Sequence, residues 1–294
     1  MKFLNFGSLN IDFTYQVKNF VRKGETISSS SVSKHAGGKG FNQSIALSRA
    51  GAQVCHAGCI GGDGLFLRDM LEASGVNTAC LKVLDVPTGN AIIQVDSSGD
   101  NCILLYAGAN HCITEEYIDL VLDNFGRDDV LVIQNEINSL KYLVDRAYEK
   151  GLRIAVNPSP INSNVTENIL KKASWILVNQ GEAEALAGVT GKDACIARLA
   201  ELYPGSTLVM TLGASGVVCW ENGALFSQAA YKTQVVDTTG AGDTFTGFYL
   251  AEVLNGSTQE EALRTASAAA SLSISKCGAA ESIPSMAEVK AMLK

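Results

Sequence analysis

The sequence predicts an α/β protein: a layered α/β/α domain with a mostly parallel central sheet plus a small β-sheet lid. Three observations carry this. Strand-like and helix-like runs alternate over most of the 294 residues. Four runs, DVLVIQ (129–134), RIAVN (153–157), WILV (175–178) and TLVMTL (207–212), are apolar throughout, the pattern of strands covered on both faces in a parallel sheet. The stretches at about 13–35 and 91–106 have strand character with no helix between their strands, which suits a separate β-layer. No Pro-, Gly- or Ser-rich linker divides the chain, so 1–294 reads as one domain with the lid strands inserted in it.

In order, KFLNFG (2–7) reads as a strand broken by Gly7. Residues 40–50 space Ile45, Ala46, Leu47 and Ala50 as a helix that stops at Gly51. QVCHAGCI (53–60) is a strand, and Asp63 is placed to cap a helix carrying Leu65, Phe66, Leu67, Met70 and Leu71. AIIQV (91–95) and CILLY (102–106) flank SSGD, a hairpin signal. Helices at 139–150, 165–173, 181–187 and 193–202 separate the four apolar strands. VVCW and ALFSQ flank ENG, a second hairpin, and the end is helical. Ser257 with Glu260, and Ser285 with Glu288, have the capping-box form.

Composition excludes several classes. With 47% hydrophobic and 18% charged residues, the chain is neither disordered nor collagen-like. A net charge of −7 argues against a protein that grips nucleic acid through many phosphates. No apolar run approaches a membrane span, and MKFLNFGSLN has no signal-peptide core. The eight cysteines form no CxxC pair and sit mostly in apolar runs, so they read as buried free thiols in a reducing cytoplasm. The three histidines are scattered, which gives no support to a His-based metal site or a Ser-His-Asp triad.

The strongest chemical signal is DTTGAGDTFTGFYLAEVLNG (237–256). A glycine-rich turn opening a helix presents unpaired N–H groups and the positive end of the helix dipole, an anion cradle. Asp243 sits inside it. Alone, that carboxylate would read as an N-cap, but Gly240-Ala241-Gly242 costs more backbone entropy than a cap requires. Amides that hold a phosphate beside a potential base fit phosphoryl transfer to a hydroxyl. The Walker A pattern fails, because neither Gly38-Lys39 nor Gly191-Lys192 is followed by Ser or Thr; GxGxxG fails at Phe245. The second signal is AGGKGFNQSIALSRAGA (36–52), where Gly38, Lys39 and Asn42 open another helix and supply directional donors for hydroxyl groups. Together the two segments suggest two substrates facing each other.

Both segments resemble the signature regions of the ribokinase-like, or PfkB-type, carbohydrate kinases. GSLNID (7–12), KGETI (23–27), AGAN (107–110), QNE (134–136), NPSP (157–160), Asn179 to Glu182 and TLGASG (211–216) extend the resemblance over nearly the whole chain. It implies an ATP-dependent sugar kinase acting on a primary hydroxyl, with ribose the first acceptor to consider. Asp12 and Asn10, at the end of the first strand, would bind sugar hydroxyls with Gly38, Lys39, Asn42 and Glu136. Asn179 and Glu182 would serve the magnesium-nucleotide side, Glu182 through water. Thr211, Gly213 and Gly216 would turn against the nucleotide, and Ser267 would lie near the adenine, where several relatives have a larger polar residue. Asp243 would be the base, with Gly240, Ala241 and Gly242 as the anion hole. Asp237, Thr239, Gly278 and Ser282 would ligate a monovalent cation, K+. The resemblance further implies ATP and a small sugar as ligands, Mg2+ with the ATP, and a homodimer through the β lid. Phe41 is bulkier than usual for the family; it would either narrow the sugar pocket or pack into the core, and packing is the favoured reading. Other acceptors in the family are nucleosides, deoxyribose and fructose; Phe13, Tyr15 and Phe41 offer aromatic surface for a base. A catalytically silent sugar-binding relative would be expected to lack Asp243.

Overall fold

Alternation along the inner strands sorts the core into two layers. Leu4 and Phe6, Leu131 and Ile133, Ile154 and Val156, Ile176 and Val178, and Leu208 and Met210 face one cluster. Phe3, Val130, Val132, Ala155, Trp175, Leu177 and Val209 face the other. Apolar side chains on both faces require helices on both faces. The computed structural model describes residues 1–162 and 164–294.

In chain order the strands are β1 (Phe3–Phe6), β2 (Asn10–Gln16), β3 (Ser31–Gly37), β4 (Val54–Gly61), β5 (Asn77–Leu84), β6 (Gly89–Val95), β7 (Asn101–Tyr106), β8 (Val130–Gln134), β9 (Arg153–Asn157), β10 (Trp175–Asn179), β11 (Thr207–Thr211), β12 (Val217–Glu221) and β13 (Ala224–Gln228). The helices are α1 (Lys39–Arg49), α2 (Leu65–Ala73), α3 (Glu115–Leu122), α4 (Leu140–Glu149), α5 (Glu167–Leu170), α6 (Gln180–Ala187), α7 (Lys192–Leu202), α8 (Ala241–Leu254), α9 (Gln259–Ser273) and α10 (Met286–Met292). Among the described residues nine strands form one sheet, ordered β13-β12-β11-β10-β9-β8-β1-β4-β5. It is parallel except for the β12 and β13 edge. Helices α3 to α7 pack on one face, and α1, α2, α8, α9 and α10 on the other. A second sheet, β3-β2-β6-β7, forms the lid.

Several local expectations are corrected. Asp63 caps no helix: its Oδ1 accepts from Thr88 N at 3.0 Å and Thr88 Oγ1 at 2.6 Å, fastening the turn before α2 to the approach to β6. The capping box expected at Ser257 and Glu260 lies one residue later, at Thr258 and Glu261. Ser257 instead donates to Glu252 at 2.8 Å. The expected helix at 165–173 is only α5, while β5 and α3 went unrecognised as elements. Cys102, Cys112 and Cys277 are exposed, contrary to the buried reading, whereas Cys55, Cys59, Cys195 and Cys219 are buried. Phe41 packs in the core, fully buried.

Candidate active site

Strand order reverses between β1 and β8, and open α/β sheets bind ligands beyond the carboxyl ends of the strands at such a point. The carboxyl ends here deliver Ser8 after β1, Glu136 after β8, Asn157 at the end of β9, Asn179 at the end of β10 and Thr211 at the end of β11. A cavity of about 350 Å³ opens there, lined by Lys39, Asn179, Glu182, Thr211, Gly213, the Gly240–Asp243 turn and neighbouring residues.

Gly240, at φ 73°, turns the chain into α8 without any side-chain cap. The first turn of a helix leaves its N–H groups without intrahelical acceptors. Ala241 N reaches Thr238 O at 3.3 Å and Thr244 N reaches Gly240 O at 2.8 Å, so the amides of Gly242 and Asp243 carry the open donor capacity. Asp243 is 7% exposed and does not cap the helix. Its Oδ2 accepts from Asn42 Nδ2 at 3.1 Å and its Oδ1 from Gln43 Nε2 at 2.9 Å. Both donors come from the N-terminal half of α1. The two helices approach closely because of Gly247, where a Cβ would stand 2.4 Å from Ala46 Cβ.

On the other side stands the lid. Gly7 and Ser8 end β1 at Phe6, so Asp12 and Asn10 belong to β2 of the lid, not to the end of the first strand as expected. Burial, and then the nearby Glu136 carboxylate, raise the Asp12 carboxyl to about 6, with His35 opposing. Gly37 makes room for it: a Cβ there would meet Asp12 Oδ2 at 2.1 Å. Asn10 Oδ1 accepts from Asn110 Nδ2 at 2.8 Å. Gly38, at φ 96°, brings Lys39 N to Glu136 Oε2 at 3.0 Å, and Ser8 Oγ donates to the same oxygen. Burial pulls the Lys39 ammonium down, but Asp243, Glu136 and Glu182 together hold it above its usual value. Lys39 therefore lines the cavity in the combined field of Glu136 after β8, Glu182 on α6 and Asp243 on α8.

Asn179 and Glu182 both line the cavity and form a capping box: Asn179 Oδ1 accepts from Glu182 N, and Glu182 Oε2 from Asn179 N, each at 2.9 Å. Thr211 Oγ1 leans on Val178 O at 3.4 Å. Gly213 lines the cavity; Gly216 does not, and its φ of 97° serves the turn, where a Cβ would meet Gln228 O at 2.1 Å. Ser267 is buried on α9, outside the cavity lining. Asp237 Oδ1 accepts from Thr239 N and Oγ1, and Oδ2 from Gly278 N at 3.0 Å. Burial would raise its pKa, yet these bonds hold it below the usual carboxylate value. Ser282 is buried, its hydroxyl donating to Ala279 O at 2.9 Å.

Gln43, Ser8 and Asn110 join the site without having been singled out. Neighbouring residues on a helix point about 100° apart, so choosing Asn42 gave no reason to choose Gln43. Only the α1–α8 packing brings both to one carboxylate.

A model of the family described as pfkB family carbohydrate kinase matches residues 2–286. A ribokinase from Haemophilus influenzae is 32% identical over 297 residues, covering 98% of this chain and 97% of the relative. A Bacillus subtilis ribokinase is 33% identical over 292 residues, covering 98% and 97%. The structure of Arabidopsis thaliana ribokinase complexed with ribose and ATP superposes with a TM-score of 0.90 at 27% identity, covering 100% of this chain and 98% of that one.

Proposed function

Since the chain belongs to the pfkB family of carbohydrate kinases, we propose that it transfers the γ-phosphoryl group of ATP to the primary hydroxyl of ribose, giving ribose 5-phosphate. The observation that carries the reading is Asp243, held at the mouth of the glycine turn by Asn42 and Gln43. Its carboxylate takes the proton from the ribose O5 hydroxyl as the bond to phosphorus forms. The open amides at the start of α8 and the helix dipole stabilise charge on the transferred group. The Lys39 ammonium, in the field of Asp243, Glu136 and Glu182, adds positive charge on the same path. Asp12 and Asn10 on the lid bind ribose hydroxyls; closure of the lid strands keeps water from acting as acceptor.

A divalent cation accompanies the ATP. Among the described residues no three His, Cys, Asp or Glu side chains cluster to hold a metal. Mg2+ binds through phosphates, waters and one or two carboxylates. Besides Asp243, Glu182 lines the cavity wall, with Oε2 engaged in the capping box. Bound Mg2+ would neutralise phosphate charge. For K+, the supporting feature is Asp237, which ties the Thr239 loop to Gly278 beside the anion cradle. A homodimer through the lid is supported by the apolar side chains it leaves exposed: Ile103, Leu104, Leu105 and Tyr106 on β7, and Val32 on β3. No helix among the described residues is long and apolar enough to cross a membrane.

The test is ADP release across ribose, deoxyribose, fructose and nucleosides, in K+ and in a bulky organic cation at equal ionic strength. Ribose should give the highest kcat/KM, and K+ a severalfold gain. A nucleoside preferred over ribose would overturn the acceptor; indifference to K+ would remove the cation.

A further inference from the structure

Behind Asp243 runs a buried chain of side-chain amides. Gln43 Nε2 donates to Asp243 Oδ1 at 2.9 Å and to Asn157 Oδ1 at 3.1 Å. Gln43 Oε1 accepts from Gln134 Nε2 at 2.7 Å, and the same nitrogen donates to Asn5 Oδ1 at 3.0 Å. Asn5 Nδ2 donates to Gly40 O at 2.7 Å and to Ser44 Oγ at 2.8 Å. At the far end of the network Ser44 meets His56 Nδ1 at 2.7 Å, and burial holds that imidazole's pKa down at about 4. Asn5, Gln43 and His56 are fully buried, and Gln134 nearly so.

An amide can be turned over, exchanging donor for acceptor. Here two backbone carbonyls forbid it. Gly40 O can only accept, so Asn5 must give it the nitrogen and turn its oxygen toward Gln134. Gln134 must then present its nitrogen, and Gln43 its oxygen. From the other side, Asn157 Nδ2 donates to Leu177 O at 2.9 Å, which leaves Asn157 Oδ1 facing Gln43. Both routes force the Gln43 NH2 group onto Asp243. Asn42, the other donor to the carboxylate, lacks this support: among the described residues its Oδ1 has no partner, so only the carboxylate itself sets the sense of its amide.

We infer that Gln43 is a positioning residue for the transfer reaction: a relay of amides, polarised from the Gly40 and Leu177 carbonyls, fixes the plane of the Asp243 carboxylate toward the acceptor hydroxyl. This rests on the reading of Asp243 as the base. Gln43 need not touch either substrate for the effect, so its loss should appear in kcat and not in KM.

Gln43→Met keeps the length and volume and removes the donor; Gln43→Asn keeps the amide and shortens its reach. Misplacing a reacting group by about 1 Å costs on the order of 10²-fold, so each variant should lose roughly 10- to 100-fold in kcat, with KM for ribose and ATP within about twofold of the parent. The decisive arm is the cycle with Asp243→Asn. Once the base is gone there is nothing to orient, so adding Gln43→Met should cost little more, a non-additivity expected of coupled groups. A folded Gln43→Met or Gln43→Asn enzyme with parental kcat overturns the inference. So does an equal loss in the Asp243→Asn background. Should the methionine variant not fold, the asparagine variant carries the test. Near-parental activity of Asp243→Asn itself would reject the base and not merely its support.

Discussion

Replacing Gly247 with alanine should separate two helices that must stay close for the reaction to occur. The added Cβ would lie 2.4 Å from Ala46 Cβ, 2.7 Å from Leu47 N and 2.8 Å from Ala46 C. Carbon atoms settle at roughly 3.5–4.0 Å, so α8 must move off α1 by about 1 Å. Two of the three contacts are backbone, which cannot swing aside. Overpacking of this kind costs about 1–3 kcal/mol. At about 2 °C per kcal/mol for a chain of this size, the melting temperature should fall by a few degrees and leave a folded protein. The catalytic loss should be larger. Asp243 lies one turn before Gly247 on α8, while both of its donors, Asn42 and Gln43, ride on α1. Opening that gap by about 1 Å should lower kcat on the order of 10²-fold. ATP affinity should fall less than kcat, since Thr211 and Gly213 on the other wall of the cavity stand on and after β11. The assay is coupled ADP release with ribose, alongside thermal melting and calorimetric ATP titration. Gly205→Ala, where a Cβ meets nothing within 4 Å, is the control and should behave as the parent. A Gly247→Ala enzyme with kcat within twofold of the parent would refute the reasoning.

Asp243→Asn should lower kcat by roughly 10²–10⁴, the worth of a positioned general base, while fold and ATP affinity survive. Asn42 can accommodate the new amide by turning its unpartnered Oδ1 toward it; turnover near the parental value would reject Asp243 as the base. For Asp12 the sign follows from its raised pKa of about 6 against 3.8 unperturbed. The folded state holds this proton more tightly than the unfolded state, so its stability contribution is present below pH 3.8 and is lost as pH rises through about 6. Ribose binding runs the opposite way, because accepting hydroxyl hydrogen bonds needs the carboxylate. The KM for ribose should rise as pH falls below about 6, approaching tenfold per pH unit. Asp12→Asn should flatten that dependence, and a KM for ribose that does not change between pH 5 and pH 8 would dismiss the Asp12 contact.

The layered fold was legible because short unbroken apolar runs rich in β-branched residues fit doubly covered strands, and because glycine-rich turns before helices stand out. What escaped notice has physical causes. β5, NTACLKVL, is an edge strand with four partly buried and four exposed positions, so it lacks the solid apolar run of β8 to β11. The family resemblance places Asp12 and Asn10 at the end of the first strand. The break at Gly7 and Ser8 transfers Asn10 and Asp12 to β2, an inner strand of the lid sheet. Asp243 was identifiable from its turn, but its partners were not. Asn42 and Gln43 lie about 200 residues away along the chain, and no local pattern announces a contact that depends on two helices touching at Gly247. Asn5 lies in the strand read at 2–7 and Gln134 in both the 129–134 strand and the QNE match; their amides acquire meaning only once Gly40 O is seen to accept from Asn5.

The central claim is that this chain moves phosphate from ATP to the primary hydroxyl of ribose. Phosphorus NMR of the product formed from MgATP and ribose tests it most directly. One phosphomonoester coupled to the two C5 protons, formed in step with ADP, is the predicted result. Phosphate on a ring hydroxyl, or inorganic phosphate alone, would contradict it.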